Sequence, residues 1–168
     1  MLDSLITSKT RVRLLIKFFV NAANSGYLRG LSVELNESTN AIRKELNHLS
    51  QAGYLIKSSS QNKIAYQANT KHPMFSTMRK IVHQFLGLET IVETVLERMG
   101  HVKRILVIGD YAKGIDSGNI EVVVEGDELN TDYIKHLSSK LKDEIDRQVQ
   151  FLITSKYSGE GLLVYHEK

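Results

Sequence analysis

The sequence predicts an α+β protein made of two unlike units joined by helices, and three observations carry that expectation. Residues 8–72 combine helical periodicity with one strand–turn–strand pattern, whereas residues 103–168 follow a strand–helix rhythm. Charge divides along the same line. Residues 1–72 hold 10 Lys or Arg against 4 Asp or Glu, residues 73–102 hold 3 of each, and residues 103–168 hold 9 against 12. A basic front and an acidic rear suggest two units with different partners. The expected division is therefore an N-terminal unit over 1–72, a helical connector over 73–102 and a small α/β domain over 103–168.

Composition narrows the class of molecule. The 168 residues are 42% hydrophobic and 24% charged, as in ordinary globular proteins, and are enough for one large domain or two small ones. With 0 cysteines there is no disulfide framework, thiolate metal site or cysteine nucleophile. The histidines at 48, 72, 83, 101, 136 and 166 are scattered, with no pair at a helical ligand spacing, so no metal site is expected on them. The apolar run Leu14–Ile16 and Phe18–Val20 is split by Lys17 and preceded by Arg11 and Arg13. It is too short and too amphipathic for a membrane span or a secretory signal, and a cytoplasmic location away from membranes is expected.

In chain order, either Ser8 or Thr10 suits the N-cap of a first helix reaching about Ala23, with Val12, Leu15, Ile16, Phe19 and Val20 on one face. Asn24–Gly26 ends it with turn chemistry. Tyr27–Asn36 reads as a short helix with Leu31 and Leu35 pointing inward, and only Glu37 separates it from the next cap, Ser38. From Ser38 a second helix carries Ile42, Leu46 and Leu49 as one apolar stripe and closes at Gly53. Its other face offers Thr39, Asn40, Arg43, Lys44 and Asn47, with Glu45 at the flank. Arg, Lys and Asn fork onto base edges or hold phosphates, although the same face reads equally as a solvated surface helix. Two helices joined so tightly make a helix-turn-helix. Tyr54–Lys57 and Lys63–Gln67 then form a hairpin about the polar turn Ser58–Asn62, the wing of a winged helix. Its tip presents Ser59, Gln61, Asn62 and Lys63, together with Ser38 at the helix start, to double-stranded DNA. Tyr66 suits core packing better than phosphate contact.

Residues 8–75 resemble a winged-helix regulator of the arsenic-repressor-like class. The matching residues are Leu-x-x-Glu-Leu-Asn-x-Ser-x-x-Ala-Ile-x-x-x-Leu-x-x-Leu from Leu31 to Leu49, followed by Gln51-Ala52-Gly53-Tyr54-Leu55. The resemblance implies DNA binding. Arsenic sensing is not implied, since the thiolate sites that some members use are absent.

Pro73 suits the first turn of a helix. Met78, Ile81, Val82 and Phe85 recur at helical spacing, Gly87 interrupts, and Ile91, Val92, Val95, Leu96 and Met99 continue in a second helix. These wide apolar faces pack either on the chain's own domains or on a second subunit. A reader of repeated half-sites works as a two-fold dimer, so a homodimer formed through this region is expected.

Residues 103–168 read as strand 103–108, a loop with a short helical start over 109–118, strand 120–124, helix 131–146 and strand 149–154. The loop Gly109-Asp110-Tyr111-Ala112-Lys113-Gly114, followed by Ser117-Gly118-Asn119-Ile120-Glu121-Val122, resembles the minimal nucleotidyltransferase superfamily. There the pattern is Gly-Ser-x-Ala-x-Gly and then Ser-Asp-Ile/Val-Asp-Leu. The resemblance implies a phosphate-approaching turn and paired metal-binding aspartates. Here Asp110 replaces the serine, Asn119 and Glu121 replace the aspartates, and Gln148 and Gln150 stand where a further carboxylate is often found. With the charge of the clamp lowered, no catalysis, metal or cofactor is expected. The plainer reading of Asp110, Asp116 and Glu121 is that they are solvated carboxylates. The sharper reading is a pocket for a nucleotide or small-molecule effector formed by Gly109, Asp110, Lys113, Gly114, Asn119 and Glu121. The expected function is a sequence-specific transcriptional regulator. Two alternatives stand beside it: an active nucleotidyltransferase using Glu121 and Asp116, with the winged helix as adaptor, and a protein-interaction scaffold.

Overall fold

A computed structural model describes residues 2–168, and the chain divides between Phe85 and Leu86 into two compact units. The fold is mixed α+β, with seven helices and two sheets among the described residues. None of these helices is long and apolar enough to cross a membrane.

The first unit opens with the single turn α1 (Leu2–Leu5), then α2 (Lys9–Phe19). Of the two candidate caps it is Ser8 that starts α2, its hydroxyl accepting from the Arg11 amide at 3.1 Å. The helix stops at Val20, short of Ala23. Its C-terminal half is buried on every side rather than along one stripe, since Leu14 and Phe18 are as enclosed as Leu15, Ile16 and Phe19.

The stretch expected to be helical from Tyr27 starts instead with a short strand, β1 (Ser25–Tyr27), and the helix α3 follows over Leu28–Glu34. Asn36, left-handed at φ 52°, turns the chain after α3, and the Glu37 amide reaches back to the Ser32 carbonyl at 3.0 Å. One residue later Ser38 caps α4 (Thr39–Gln51), its hydroxyl accepting from Ala41 N at 3.1 Å. Ile42, Leu46 and Leu49 are buried, each worth roughly 1.5–3 kcal/mol relative to exposure. Gly53 at φ 80° ends α4 in a Schellman turn, with Tyr54 N on Leu49 O at 2.9 Å and Gly53 N on Ser50 O at 3.0 Å.

The hairpin pairs β2 (Leu55–Ser60) with β3 (Lys63–Ala68), and β1 adds to the outer side of β3. Its turn is tighter than the expected Ser58–Asn62. Only Gln61 and Asn62 form it, both at positive φ (50° and 62°), so Ser58–Ser60 pair in the ladder. Helix α5 (Phe75–Leu86) completes the unit, with Phe75 against Phe19 at 5.9 Å between ring centroids.

In the second unit, α6 (Leu88–Arg98) follows the left-handed Gly87, and Leu88, Ile91 and Val95 are buried. The sheet has the order β6-β5-β4-β7, built from β4 (His101–Ile108), β5 (Asn119–Asp127), β6 (Gln148–Thr154) and β7 (Leu162–His166). Helix α7 (Tyr133–Ile145) carries the crossover between the parallel strands β5 and β6. No helix joins β4 to β5, which are antiparallel. Gly109, Gly114 and Gly118 all take positive φ there and break the expected helical start into turns. Strand β7, five residues after a Gly-Glu-Gly turn, has no counterpart among the elements that the sequence predicts. Ile105 and Val107 of β4 share a face with Val122 and Val124 of β5, and all four are buried.

Candidate nucleic-acid interface

The polar face of α4 is laid out as its periodicity requires. Ser38, Thr39, Asn40, Arg43, Lys44 and Asn47 are all exposed, on the side opposite the buried stripe. Arg43 Nη1 donates to Asn40 Oδ1 at 3.0 Å, so the guanidinium and the amide one turn earlier form one hydrogen-bonding surface. On the hairpin, Ser59, Gln61, Asn62 and Lys63 are exposed at or beside the turn. Lys63 Nζ lies over the Tyr27 ring at 5.5 Å, and Lys57 Nζ lies over Tyr66 at 5.9 Å. Lys57 stands opposite Tyr66, and Lys63 is three residues from Tyr66 along the same strand, so the hairpin carries a lysine on each face. Tyr66 itself is packed, with 7% of its surface exposed.

The face stays free of carboxylates because helix α2 neutralises them elsewhere. The acids of residues 1–72 are Asp3, Glu34, Glu37 and Glu45. Lys17 holds Glu34 at 2.8 Å, Arg13 pairs with Glu37, and Arg11 Nε donates to Glu45 at 2.7 Å. Glu45 is not at the flank of the polar face, as its position suggested. It is buried beneath α4, where it also accepts from the Ser8 hydroxyl at 3.0 Å. Burial opposes its charge, but the Arg11 and Ser8 hydrogen bonds outweigh that and hold the carboxyl below its ordinary value. Three cations of one helix thus pair with three acids, while Arg43 and Lys44 of α4 and Lys57 and Lys63 of the hairpin are exposed, as are Lys9, Arg29 and Lys71.

The second cluster lies in the other unit. Gly109, Asp110, Lys113 and Gly114 form the turn after β4, while Asn119 and Glu121 open β5. The parallel register sets Asn119 beside Gln148 and Glu121 beside Gln150, so one carboxylate and three amides share a face at one end of the sheet. A Cβ at Gly109 would meet Glu121 Oε2 and push that side chain aside, and the backbone there is at φ 67°, a conformation that favours glycine. The amides of Lys113, Gly114 and Ile115 already bond to carbonyls within the turn.

Asp116 is exposed but not unpartnered. Arg147 grips it with Nε at 2.8 Å and Nη2 at 2.7 Å, and the fully buried Tyr111 hydroxyl donates to the same carboxylate. The Gly118 amide donates to the Tyr111 oxygen at 2.9 Å. Burial and the adjacent carboxylate push the Tyr111 phenol well above its ordinary value. Burial alone would raise the Asp116 carboxyl, but the Arg147 fork and the Tyr111 bond hold it below its usual range. A tyrosine inside a polar glycine turn was the available signal for this cluster; Arg147, just past the end of α7, gave none. Among the described residues no group of three or more His, Asp or Glu is arranged to hold a metal ion.

No protein-family model matches the chain, and no curated protein matches it. Among solved structures it is similar to Sso10a-2, a DNA-binding protein from Sulfolobus solfataricus, at 13% identity over 51% of this chain and 87% of that one, with a TM-score of 0.36. It is similar to the AntR antimony-specific transcriptional repressor at 16% identity over 55% and 73%, with a TM-score of 0.36. It is similar to TrmBL2, an archaeal chromatin protein, at 14% identity over 90% and 66%, with a TM-score of 0.32. These likenesses are too distant to assign a family.

Proposed function

We propose that this chain is a sequence-specific, DNA-binding transcriptional regulator that acts in the cytoplasm as a homodimer. Its first unit is a winged helix-turn-helix: α3 and α4 are the helix pair, α4 reads base edges, and the β2–β3 hairpin is the wing that holds the phosphate backbone. The observation that carries this reading is the exposed, carboxylate-free face of α4, whose neighbouring acids are all tied to α2. A solvated helix face has no need for that segregation, whereas a phosphate-facing one gains from it. Arg43 and Asn40 supply the forked donors and acceptors that discriminate bases, and Lys63 supplies charge.

Arg43→Ala should cost about 1–3 kcal/mol on a preferred site and relax specificity at one base position. Lys63→Ala should weaken all duplexes alike and reduce the salt slope by about one phosphate contact. Competition binding with each variant on cognate and base-substituted duplexes measures both. An Arg43→Ala protein that keeps the wild-type preference at every position removes α4 from the reading role.

The second unit is read as nucleotidyltransferase-like without catalysis, serving as a dimerisation or effector-sensing module. The alternative of metal-dependent transfer through Glu121 and Asp116 is disfavoured because both oxygens of Asp116 are occupied by Arg147. Labelled ATP with Mg²⁺ or Mn²⁺ tests it: label transferred by the wild type and lost in Glu121→Ala would establish that alternative.

A further inference from the structure

We infer that the free edge of β6 is the dimer interface of this protein, pairing antiparallel with β6 of a second copy. An unpaired strand edge presents a row of open amide and carbonyl groups, and folded proteins blunt such edges with short length, lysine, proline, bulges or a covering segment. Three of the four sheet edges among the described residues show one of these devices. Strand β1 has three residues, β2 carries Lys57, and β7 has five residues and an irregular register against β4 between Ile105 and Leu106. Strand β6, Gln-Val-Gln-Phe-Leu-Ile-Thr, has seven residues, no charge and no proline, and an unbroken register with β5.

The direction of its backbone groups follows from one bond. Gln148 N donates to Gly118 O at 2.9 Å, on the β5 side, so Gln148, Gln150, Leu152 and Thr154 turn their backbone groups inward. Val149, Phe151 and Ile153 therefore turn theirs to the open edge. The surface along this edge includes Leu152, which is 51% exposed.

The strand is complementary to itself. A two-fold axis at Phe151 sets Phe151 against its own copy and Val149 against Ile153, pairing every outward amide and carbonyl of those three residues. Any other centre leaves some of them open. The same register sets Gln150 opposite Leu152 and Gln148 opposite Thr154. Beyond the two ends of the strand lie Asp146 and Lys156, both exposed, so the antiparallel arrangement sets the acidic end of one copy near the basic end of the other. That charge match in a neutral, self-pairing strand favours a second copy over an unrelated peptide. The choice of a two-fold partner rests in part on the DNA-binding reading; the edge geometry does not.

The test uses the full chain and measures mass in solution by light scattering and sedimentation, without DNA. Wild type should be a dimer. Gln150→Lys with Leu152→Lys places like charges opposite each other twice and should weaken the dimer about tenfold or more. Gln150→Glu with Leu152→Lys restores opposite charges in this register alone and should recover the dimer; both positions are exposed, so the fold is kept. In a chain with 0 cysteines, Gln150→Cys with Leu152→Cys should give a covalent dimer on oxidation. A monomeric wild type, or a doubly lysine-substituted chain as dimeric as wild type, overturns the inference. A monomer that still discriminates DNA sites overturns it, together with the proposed homodimer, while leaving the DNA-reading role of the first unit standing, and a dimer indifferent to DNA does the reverse.

Discussion

Glu45 shows how a single residue sets the electrostatics of a whole face. Turned outward it would have placed a carboxylate beside Arg43 and Lys44, repelling the phosphates that those cations contact in the proposed DNA-binding role. Buried against Arg11 and the Ser8 hydroxyl it instead ties α2 to α4. Its carboxyl is held below the ordinary value of 4.5, so the charged form is the one the fold favours. The resulting stability is fully present above that ordinary value and is lost as pH falls through the lowered folded value. Glu45→Gln should therefore cost about 1–3 kcal/mol at pH 7, where Arg11 loses its partner. The gap from wild type should shrink in more acidic solution, where both proteins lack the charge. Urea unfolding at pH 7 and at acid pH measures this, and a gap that is constant with pH would show that packing, not charge, accounts for the cost. The sequence did not reveal this pairing, because helical spacing places Glu45 between the buried stripe and the polar face and cannot choose its side.

At the scale of elements, legibility followed the strength of local signals. Helix α4 was readable from end to end, because Ser38 caps it, Gly53 closes it and Ile42, Leu46 and Leu49 fall on one stripe. Strand β1 was not, since three residues are too few to show alternation and its pairing with β3 is non-local. The missing helix between β4 and β5 has the same origin: the sequence shows glycines, and only the positive φ values show that they stop the helix. The hairpin turn is narrower than the sequence predicts because Gln61–Asn62 departs from the usual Asn-Gly. Both residues are left-handed, a conformation that costs roughly 1–2 kcal/mol for ordinary side chains and little for glycine or asparagine. Gln61→Asn with Asn62→Gly should accordingly stabilise the chain by about 1 kcal/mol in thermal unfolding. Destabilisation would mean that the Gln61 side chain makes a contribution the backbone does not reveal.

For the molecule as a whole, the charge asymmetry of the sequence was the most informative signal: composition sets the excess of each unit, and pairing sets which charges it leaves exposed. The first unit binds most of its few acids to α2 and leaves lysines and Arg43 exposed. The second unit takes the opposite course, closing its cations onto carboxylates: Arg147 on Asp116, and Arg104 on the buried Glu125, whose carboxyl that pairing holds below its ordinary range. Of the candidate residues near Gly109, Asn119 and Glu121 are brought by the register onto one face with Gln148 and Gln150. The commitment of Asp116 to Arg147 was not legible, because 31 residues separate the partners.

Fluorescence anisotropy of the purified chain, on a duplex from upstream of its own coding region and on a scrambled duplex across several salt concentrations, tests the central claim most directly. The account predicts tighter binding to the upstream duplex, with log affinity falling by roughly 0.9 per phosphate contact for each log unit of salt. Binding to neither duplex, or equal binding to both at every salt concentration, would contradict it.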